Sequence, residues 1–403
     1  MAEKLQLKGL GQKEVDAFFN LINTRHEKIA EAPATPLQTK FPVNELMRKL
    51  HPISQALEVC EIIEHTPDVK TYVFKRTDGE PAYFRAGQYL SLVIPVANVT
   101  VTRPYSICST PSETKNGIYK ITVKRVDDGF ISPFILDNWT VGTQITSSGP
   151  LGRFYYEPMR DAKTVIGVAG GSGITPFLSL AGAIRDGVED ANLILLYGSR
   201  TESDILFRDE FKAIEQACPK VKVVHVLSDS TSGDPTDGIE HGFITAELIQ
   251  KYAPTDEPYS VFLCGPQQMY NFVDGELQKL GIIRKYIRHE LFGEIKNPQN
   301  IPGYPEDHAN QTYRMTVRNL GETTQVDCNA NESILVALER AGIATPAHCR
   351  SGECGFCRSR LVTGDVFIPS DIEGRRLADI ALGFIHPCCS YPLSDLEIIA
   401  PPR

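Results

Sequence analysis

Cys349, Cys354 and Cys357 stand at C-x4-C-x2-C spacing, and Cys388 follows thirty-one positions beyond Cys357 with Cys389 beside it. Soft thiolates suit iron-sulfur or zinc. Three close thiolates with a distant fourth is the plant-type spacing for a [2Fe-2S] centre. A structural zinc site, which uses paired short spacers in each half, is the competing reading and fits this spacing less well. Gly352 and Gly355 let backbone amides turn toward cluster sulfurs with no side chain in the way. Four thiolates, two ferric ions and two sulfides sum to about -2, a charge that Arg350 and Arg358 can offset. Ordinary surface arginine reads the same. Spacing alone leaves the fourth ligand open between Cys388 and Cys389.

A second set of residues suits phosphate. TVIGVAGGSGITP runs from an apolar strand through Gly170, Gly171 and Gly173 into a helix whose first turn holds Thr175 and Pro176. Glycines at a helix start admit the close approach of a diphosphate, although a plain strand-to-helix turn looks similar. SVFLCGP ends at Cys264, Gly265 and Pro266, which in a parallel sheet points to the same carboxyl-edge crevice. Cys264 as a buried small hydrophobe is the plainer alternative. TRPYSICS presents Arg103, Pro104, Tyr105 and Ser106 in a strand-like run. Arginine suits phosphate, tyrosine can lie flat on an aromatic ring, and serine can bond a ring nitrogen; an ordinary alternating strand with an exposed arginine has the same pattern.

These residues need rigid elements to hold them. The chain has 403 residues, 42% of them apolar and 23% charged, enough for two to four domains and unlike a disordered or low-complexity chain. A net charge of -9 opposes broad attraction to nucleic acid or anionic membrane. No apolar run reaches the ~20 residues of a membrane span, and MAEKLQLKGLGQ lacks a signal peptide's apolar core, so the expected location is the cytoplasm. Ten cysteines in such a chain point to metal or catalysis before disulfides.

The pattern divides as 1–52, 53–160, 161–293, 294–310 and 311–403. Residues 1–52 read as a helical extension, with VDAFFNLI at helical spacing and APATPLQTKFP interrupting before NELMRKL. It is either a packing arm or a docking element. LEVCEII, TYVFKRT, QYLSLVIP, YKITVKRV and TQITSSGP predict an antiparallel β-barrel. TVIGVA, NLILLYGS, KVVHVLS and SVFLCG alternate with PFLSLAGAIRDG and RDEFKAIEQA, the mark of a doubly wound α/β parallel sheet. EIKNPQNIPGYPEDHANQ reads as a linker. TYRMTVRN, TTQVDC and SILVALERAG then predict a strand pair and a helix before the cysteine loop.

RPYS at 103–106, GPLGRF at 149–154, GGSGITP at 170–176, CGP at 264–266 and the cysteine loop, taken in this order, resemble one family over residues 53–403. The chain is similar to the iron-sulfur flavoprotein reductases of the ferredoxin-NADP reductase superfamily. Its order of parts resembles the reductase components of aromatic-ring oxygenases and the NADH-dependent reductase of the hybrid-cluster protein. The resemblance implies a flavin barrel, a nicotinamide domain and a β-grasp, ferredoxin-like α+β domain. Arg103 would contact flavin phosphate, with Pro104 in the same motif; Tyr105 would pack on the isoalloxazine, and Ser106 would approach its N5. Gly129 and Ser132 match a flavin-diphosphate turn, preceded unusually by Asp127 and Asp128. Gly170, Gly171, Gly173 and Thr175 match the nicotinamide-dinucleotide turn. Cys264, with Gly265 and Pro266, matches the cysteine near the nicotinamide. Glu290 and Phe292 match the segment covering the flavin. A closing pattern counted back from Pro392 makes Cys388 the fourth ligand, with Cys389 the departure. The first 52 residues match nothing in this set.

The resemblance implies FAD rather than FMN, and electrons passing from NAD(P)H through flavin and a [2Fe-2S] cluster to an external redox protein, with Ser106, Cys264 and Glu290 at the chemistry. Strand NLILLYGS ends at Arg200 and not at an acidic residue; arginine there can take a 2′-phosphate, yet NADH-linked relatives share it, and NADH is the expected donor. Electron flow in reverse, toward NAD⁺, and a non-enzymatic docking protein stay open as alternatives.

Overall fold

The computed structural model describes residues 11–32, 41–229, 238–290, 293–295 and 297–401. It divides into two units, Met1–Met47 and Arg48–Arg403. The first holds helix α1 (Gln12–Glu31) and the start of α2 (Pro42–Leu50), and neither helix buries a residue. Pro42, read from sequence as part of the interruption, instead opens α2, a position where its missing N–H is not needed.

Six antiparallel strands begin the second unit: β1 (Ser54–Thr66), β2 (Val69–Arg76), β3 (Tyr89–Val96), β4 (Val99–Ser106), β5 (Ile118–Lys124) and β6 (Gln144–Ser148). Their spatial order is β4-β3-β6-β1-β2-β5. The sheet curls until its outer strands meet through one bridge, Ile107 to Ile121. Period-2 alternation drives the curl: Leu57 and Val59, Tyr72 and Phe74, and Tyr119, Ile121 and Val123 all turn into one core. Two helices flank these strands. Helix α3 (Pro111–Thr114) has a reciprocal Thr110–Glu113 cap, and α4 is Ile131–Asn138.

The chain then alternates through β7 (Thr164–Gly170), α5 (Thr175–Arg185), β8 (Asn192–Ser199), α6 (Arg208–Ala217), β9 (Val221–Leu227) and β10 (Glu240–His241). It continues with α7 (Ala246–Tyr252), β11 (Tyr259–Cys264), α8 (Gln267–Lys279) and β12 (Ile287–His289). All six strands are parallel, in the order β10-β9-β8-β7-β11-β12. Every residue of β7 is buried, as expected of a central strand covered on both faces. The chain moves outward from β7 to one side and returns at β11 on the other. The crevice between their carboxyl ends is therefore the topological switch point, and both GGSGITP and CGP open into it.

The last sheet is mixed, ordered β14-β13-β19-β15-β17, from β13 (Thr312–Asn319), β14 (Glu322–Asn329), β15 (Ser359–Thr363), β17 (Phe384–Ile385) and β19 (Leu396–Ile399). Strands β16 (Val366–Phe367) and β18 (Tyr391–Pro392) pair beside it. Helix α9 (Ile334–Arg340) lays Ile334, Ala337 and Leu338 on Met315, Val317 and Ile398, in the β-grasp arrangement. A short α10 (Leu377–Ala381) precedes β17. The segment read as a linker is strapped down: Tyr304 donates to the Ala330 carbonyl at 3.1 Å, and Tyr391 donates to that of Ile295 at 2.9 Å. Proline and asparagine content gave it the look of a tether, but two aromatic hydroxyls anchor it. Among the described residues no helix is long and apolar enough to cross a membrane.

Candidate functional site

At the switch point, space is set by backbone contact. A Cβ on Gly173 would lie 2.1 Å from the Cys264 carbonyl oxygen, so only glycine lets the turn after β7 meet the end of β11. Gly171 holds a left-handed φ of +54°, and its carbonyl accepts from the Tyr197 hydroxyl at 3.1 Å. Thr175 donates to the Ser172 carbonyl at 3.0 Å, closing the first turn of α5 around the turn's open face. Lys124, at the end of β5, brings its Nζ within 3.9 Å of where a Gly171 Cβ would stand. A glycine turn, a helix start and an ammonium group form a fitting cradle for a diphosphate.

The end of β11 is joined to Glu290 by a side chain that the motifs do not include. The Tyr270 hydroxyl takes the Gly265 N–H at 3.1 Å and donates to the Glu290 carbonyl at 2.5 Å. Burial pushes the Cys264 thiol well up, with Glu290 adding to the effect, so it stays a neutral thiol. Burial also pushes the Glu290 carboxyl well up, reinforced by Glu353 and Cys349, which favours its protonated form.

On the barrel, Arg103, Pro104, Tyr105 and Ser106 end β4. Tyr105 packs half-buried on the barrel core, while Ser106 is buried. Ser106 pairs across the ladder with Tyr89. Tyr89 in turn exchanges both backbone bonds with Leu151 of GPLGRF, at 2.9 Å each, and a Cβ on Gly152 would strike its ring at 2.8 Å. Two motifs forty-odd positions apart thus meet on one tyrosine that carries no motif of its own. Gly129 and Ser132 serve their own turn, with Ser132 Oγ accepting the Val126 N–H at 3.0 Å.

The cysteine loop packs four thiols together. The sulfurs of Cys357 and Cys388 are 3.4 Å apart, and Cys388 also touches Cys349. The N–H groups of Ser351 and Cys354 point at Cys349 Sγ from 3.4 and 3.3 Å, as donors that would stabilise a thiolate or a bound sulfur. Gly352 takes φ +84°, and a Cβ there would meet the Ile372 carbonyl at 2.7 Å and Cys389 Sγ at 2.9 Å. Cys389 lies at the edge of this group, its thiol directed to the His386 carbonyl at 3.5 Å and meeting the Cys388 sulfur. Among the described residues no three His, Cys, Asp or Glu side chains are set to hold a single metal ion. Four thiols with convergent amides fit a two-iron centre. Arg350 and Arg358, read as possible counter-charges, instead pair with carboxylates: Arg350 with Glu294 and Glu339, and Arg358 with Asp379 at 2.9 Å.

Part of this arrangement opens on one cleft of about 1560 Å³, lined by Tyr89, Glu290, Cys349, Glu353 and Cys354 among others. The strand partner of Ser106, the Cys264-linked glutamate and two of the four cysteines therefore share one space.

Three families match the chain in succession: an oxidoreductase FAD-binding domain at residues 37–156, an oxidoreductase NAD-binding domain at 168–275 and a 2Fe-2S iron-sulfur cluster binding domain at 317–393. The chain is an iron-sulfur flavoprotein reductase. It is 28% identical to the glycine betaine monooxygenase reductase subunit of Chromohalobacter salexigens, over 84% of this chain and 93% of that protein. It is 29% identical to the ferredoxin reductase component of 3-ketosteroid-9-alpha-monooxygenase of Rhodococcus rhodochrous, over 85% and 95%. The solved structure of phthalate dioxygenase reductase, described as a modular structure for electron transfer from pyridine nucleotides to [2Fe-2S], superposes with a TM-score of 0.61. The identity is 26%, over 86% of this chain and 98% of that one. The reductase binds FAD, a nicotinamide dinucleotide and a [2Fe-2S] centre, and passes electrons from NAD(P)H through both to a partner redox protein.

In this reductase Glu290, Cys349 and Cys354 are the sequence-based site residues that line the cleft; those at 103–106, 129–132, 170–175 and 264–266, with Cys357 and Cys388, are not part of its lining. Phe292 lies outside the described residues. Arg200 is 82% exposed at the end of β8 and pairs with Asp229 at 3.2 Å. Asp229, Lys124, Tyr270 and Tyr89 were missed in the sequence because each lies outside a motif. Strand pairing sets Tyr89 opposite Ser106, and the turn from β11 into α8 returns Tyr270 to Gly265. A period-2 reading of QYLSLVIP against TRPYS could have found Tyr89, given the register.

Proposed function

We propose that this reductase draws hydride from NADH and delivers single electrons to the oxygenase component of a monooxygenase or dioxygenase system. When bound, FAD accepts the pair and releases it singly, and the [2Fe-2S] centre carries one electron at a time. The observation that carries the reading is the shared cleft, in which Cys349 and Cys354 face the same space as Glu290 and the ladder partner of Ser106. The names of its relatives support an oxygenase as the acceptor.

In this reading Arg103 and the Gly129–Ser132 turn hold flavin phosphates, Tyr105 backs the ring, and Ser106 bonds near its reactive nitrogen. Gly170, Gly171, Gly173 and Thr175 seat the nicotinamide diphosphate, with Lys124 supplying charge. Gly265 and Pro266 shape the pocket wall beside the neutral thiol of Cys264; Glu290 holds a proton nearby, and Phe292 covers the flavin. Cys349, Cys354, Cys357 and Cys388 hold the irons. The divisions 1–52, 53–160, 161–293, 294–310 and 311–403 are supported by where the three sheets begin, at Ser54, Thr164 and Thr312. A cytoplasmic location is supported by ten free cysteines.

Preference for NADH is supported by Asp229, whose carboxylate balances Arg200 and can accept a ribose hydroxyl. Two measurements test the reading. Cys354→Ser is expected to abolish NADH-driven reduction of cytochrome c while leaving flavin reduction intact; steady cytochrome reduction by that variant would refute exit through the cluster. Arg200→Ala is expected to change kcat/KM for NADH and NADPH equally, and a selective loss with NADPH would restore a 2′-phosphate role.

A further inference from the structure

One buried side chain ties the cysteine loop to the flavin strand. Arg350 follows Cys349, adopts a left-handed φ of +58° and is 1% exposed. A non-glycine residue persists in that conformation only where its surroundings over-determine it. Its guanidinium forks onto Glu339 of α9 at 2.6 and 2.9 Å, pairs with Glu294 of the strap, and donates from Nη1 to the Thr102 carbonyl on β4 at 3.3 Å.

Thr102 directly precedes Arg103, Pro104, Tyr105 and Ser106, and its carbonyl also accepts from Arg103 Nη1 at 2.8 Å. Strand β4 is the outer strand of its sheet, with β3 as its one ladder neighbour among the described residues, and α9 packs against it. The ferredoxin-like domain therefore rests on the strand that bears the flavin motif, with Arg350 at the seam. Arg103, Arg350, Glu294 and Glu339 balance as two positive and two negative groups. Arg350 is thus no spare counter-charge for the irons. Removing its charge would leave two largely buried carboxylates without their partner, a strongly unfavourable state.

We propose that Arg350 is a positioning residue that fixes the cysteine loop against the flavin-binding strand, so that electron transfer from flavin to cluster depends on it and hydride transfer to flavin does not. The inference rests on the proposed exit of electrons through the [2Fe-2S] centre. With FAD and the cluster bound, each transfer would take one electron from reduced flavin and convert one ferric ion to ferrous. With the cluster held by Cys349, Cys354, Cys357 and Cys388, that electron would leave to the acceptor before the second arrives, so two transfers would discharge the pair delivered by one NADH, and the flavin proton would leave to water.

The test uses the full-length holoenzyme mixed anaerobically with NADH and cytochrome c in a stopped-flow instrument, with flavin and cluster bleaching followed separately. Arg350→Lys and Glu294→Gln are expected to leave flavin reduction at the wild-type rate and to slow cluster reduction several-fold, because electron transfer falls off exponentially as the flavin-to-cluster distance grows. Hydrogen exchange should rise together at residues 99–106 and 349–357 in both variants, a readout independent of turnover. Glu294 lies outside the ferredoxin-like sheet, so its variant decides the matter even if Arg350→Lys fails to load iron. Cluster reduction at the wild-type rate in Glu294→Gln, with an effect only in Glu339→Gln, would reduce Arg350 to an internal support of its own domain and overturn the proposal. A wild-type enzyme whose flavin bleaches while its cluster stays oxidised would instead overturn the functional reading on which the proposal rests.

Discussion

At the scale of single residues, chemistry follows from what each side chain faces. Cys388 and Cys389 are adjacent and both buried; Cys388 touches the sulfurs of Cys349 and Cys357, while Cys389 meets the Cys388 sulfur and the His386 carbonyl. Cys388→Ser is expected to lose the paramagnetic signal of the reduced cluster and its acid-labile sulfide. Cys389→Ser is expected to keep both. A signal lost in Cys389→Ser and kept in Cys388→Ser would reverse the assignment.

Between elements, the seam where barrel meets parallel sheet carries a titratable group. His65 of β1 bonds Thr71 at 2.8 Å and sets its ring edge-on to Phe207 at 4.7 Å, beside a 280 Å³ crevice. Burial holds its pKa below the ordinary 6.5, against a smaller opposing pull from Glu210. The folded state thus disfavours the protonated ring. The resulting stability is complete above pH 6.5 and is lost as pH falls through the lower folded value. The urea midpoint is expected to fall between pH 7.5 and 5, and to fall less steeply in His65→Gln; identical slopes would remove His65 from the acid response.

For the whole molecule, barrel and nicotinamide domain share one core. Phe154, from the barrel's GPLGRF, inserts between Phe177 and Phe262 at centroid distances of 5.6 and 5.2 Å, and Val69 and Ala86 join the same cluster. These two domains are expected to unfold in one calorimetric transition. Phe154→Ala should cost about 3–5 kcal/mol and split that transition, because it empties the joint without touching either sheet; a single unshifted transition would refute a shared core.

The five motifs and the order of the domains were legible in the sequence because each is a local matter. Thiolate spacing, a glycine turn before a helix, and the period of apolar residues depend only on neighbours along the chain. Choosing Cys388 over Cys389 needed the resemblance to relatives, and its spatial reason appears only when the loop closes on residues 349–357. The same holds for Tyr89 opposite Ser106, Tyr270 between Gly265 and Glu290, and Arg350 against Thr102. Each pairing spans segments whose separation in sequence carries no information about register, so only strand pairing and domain packing could decide them.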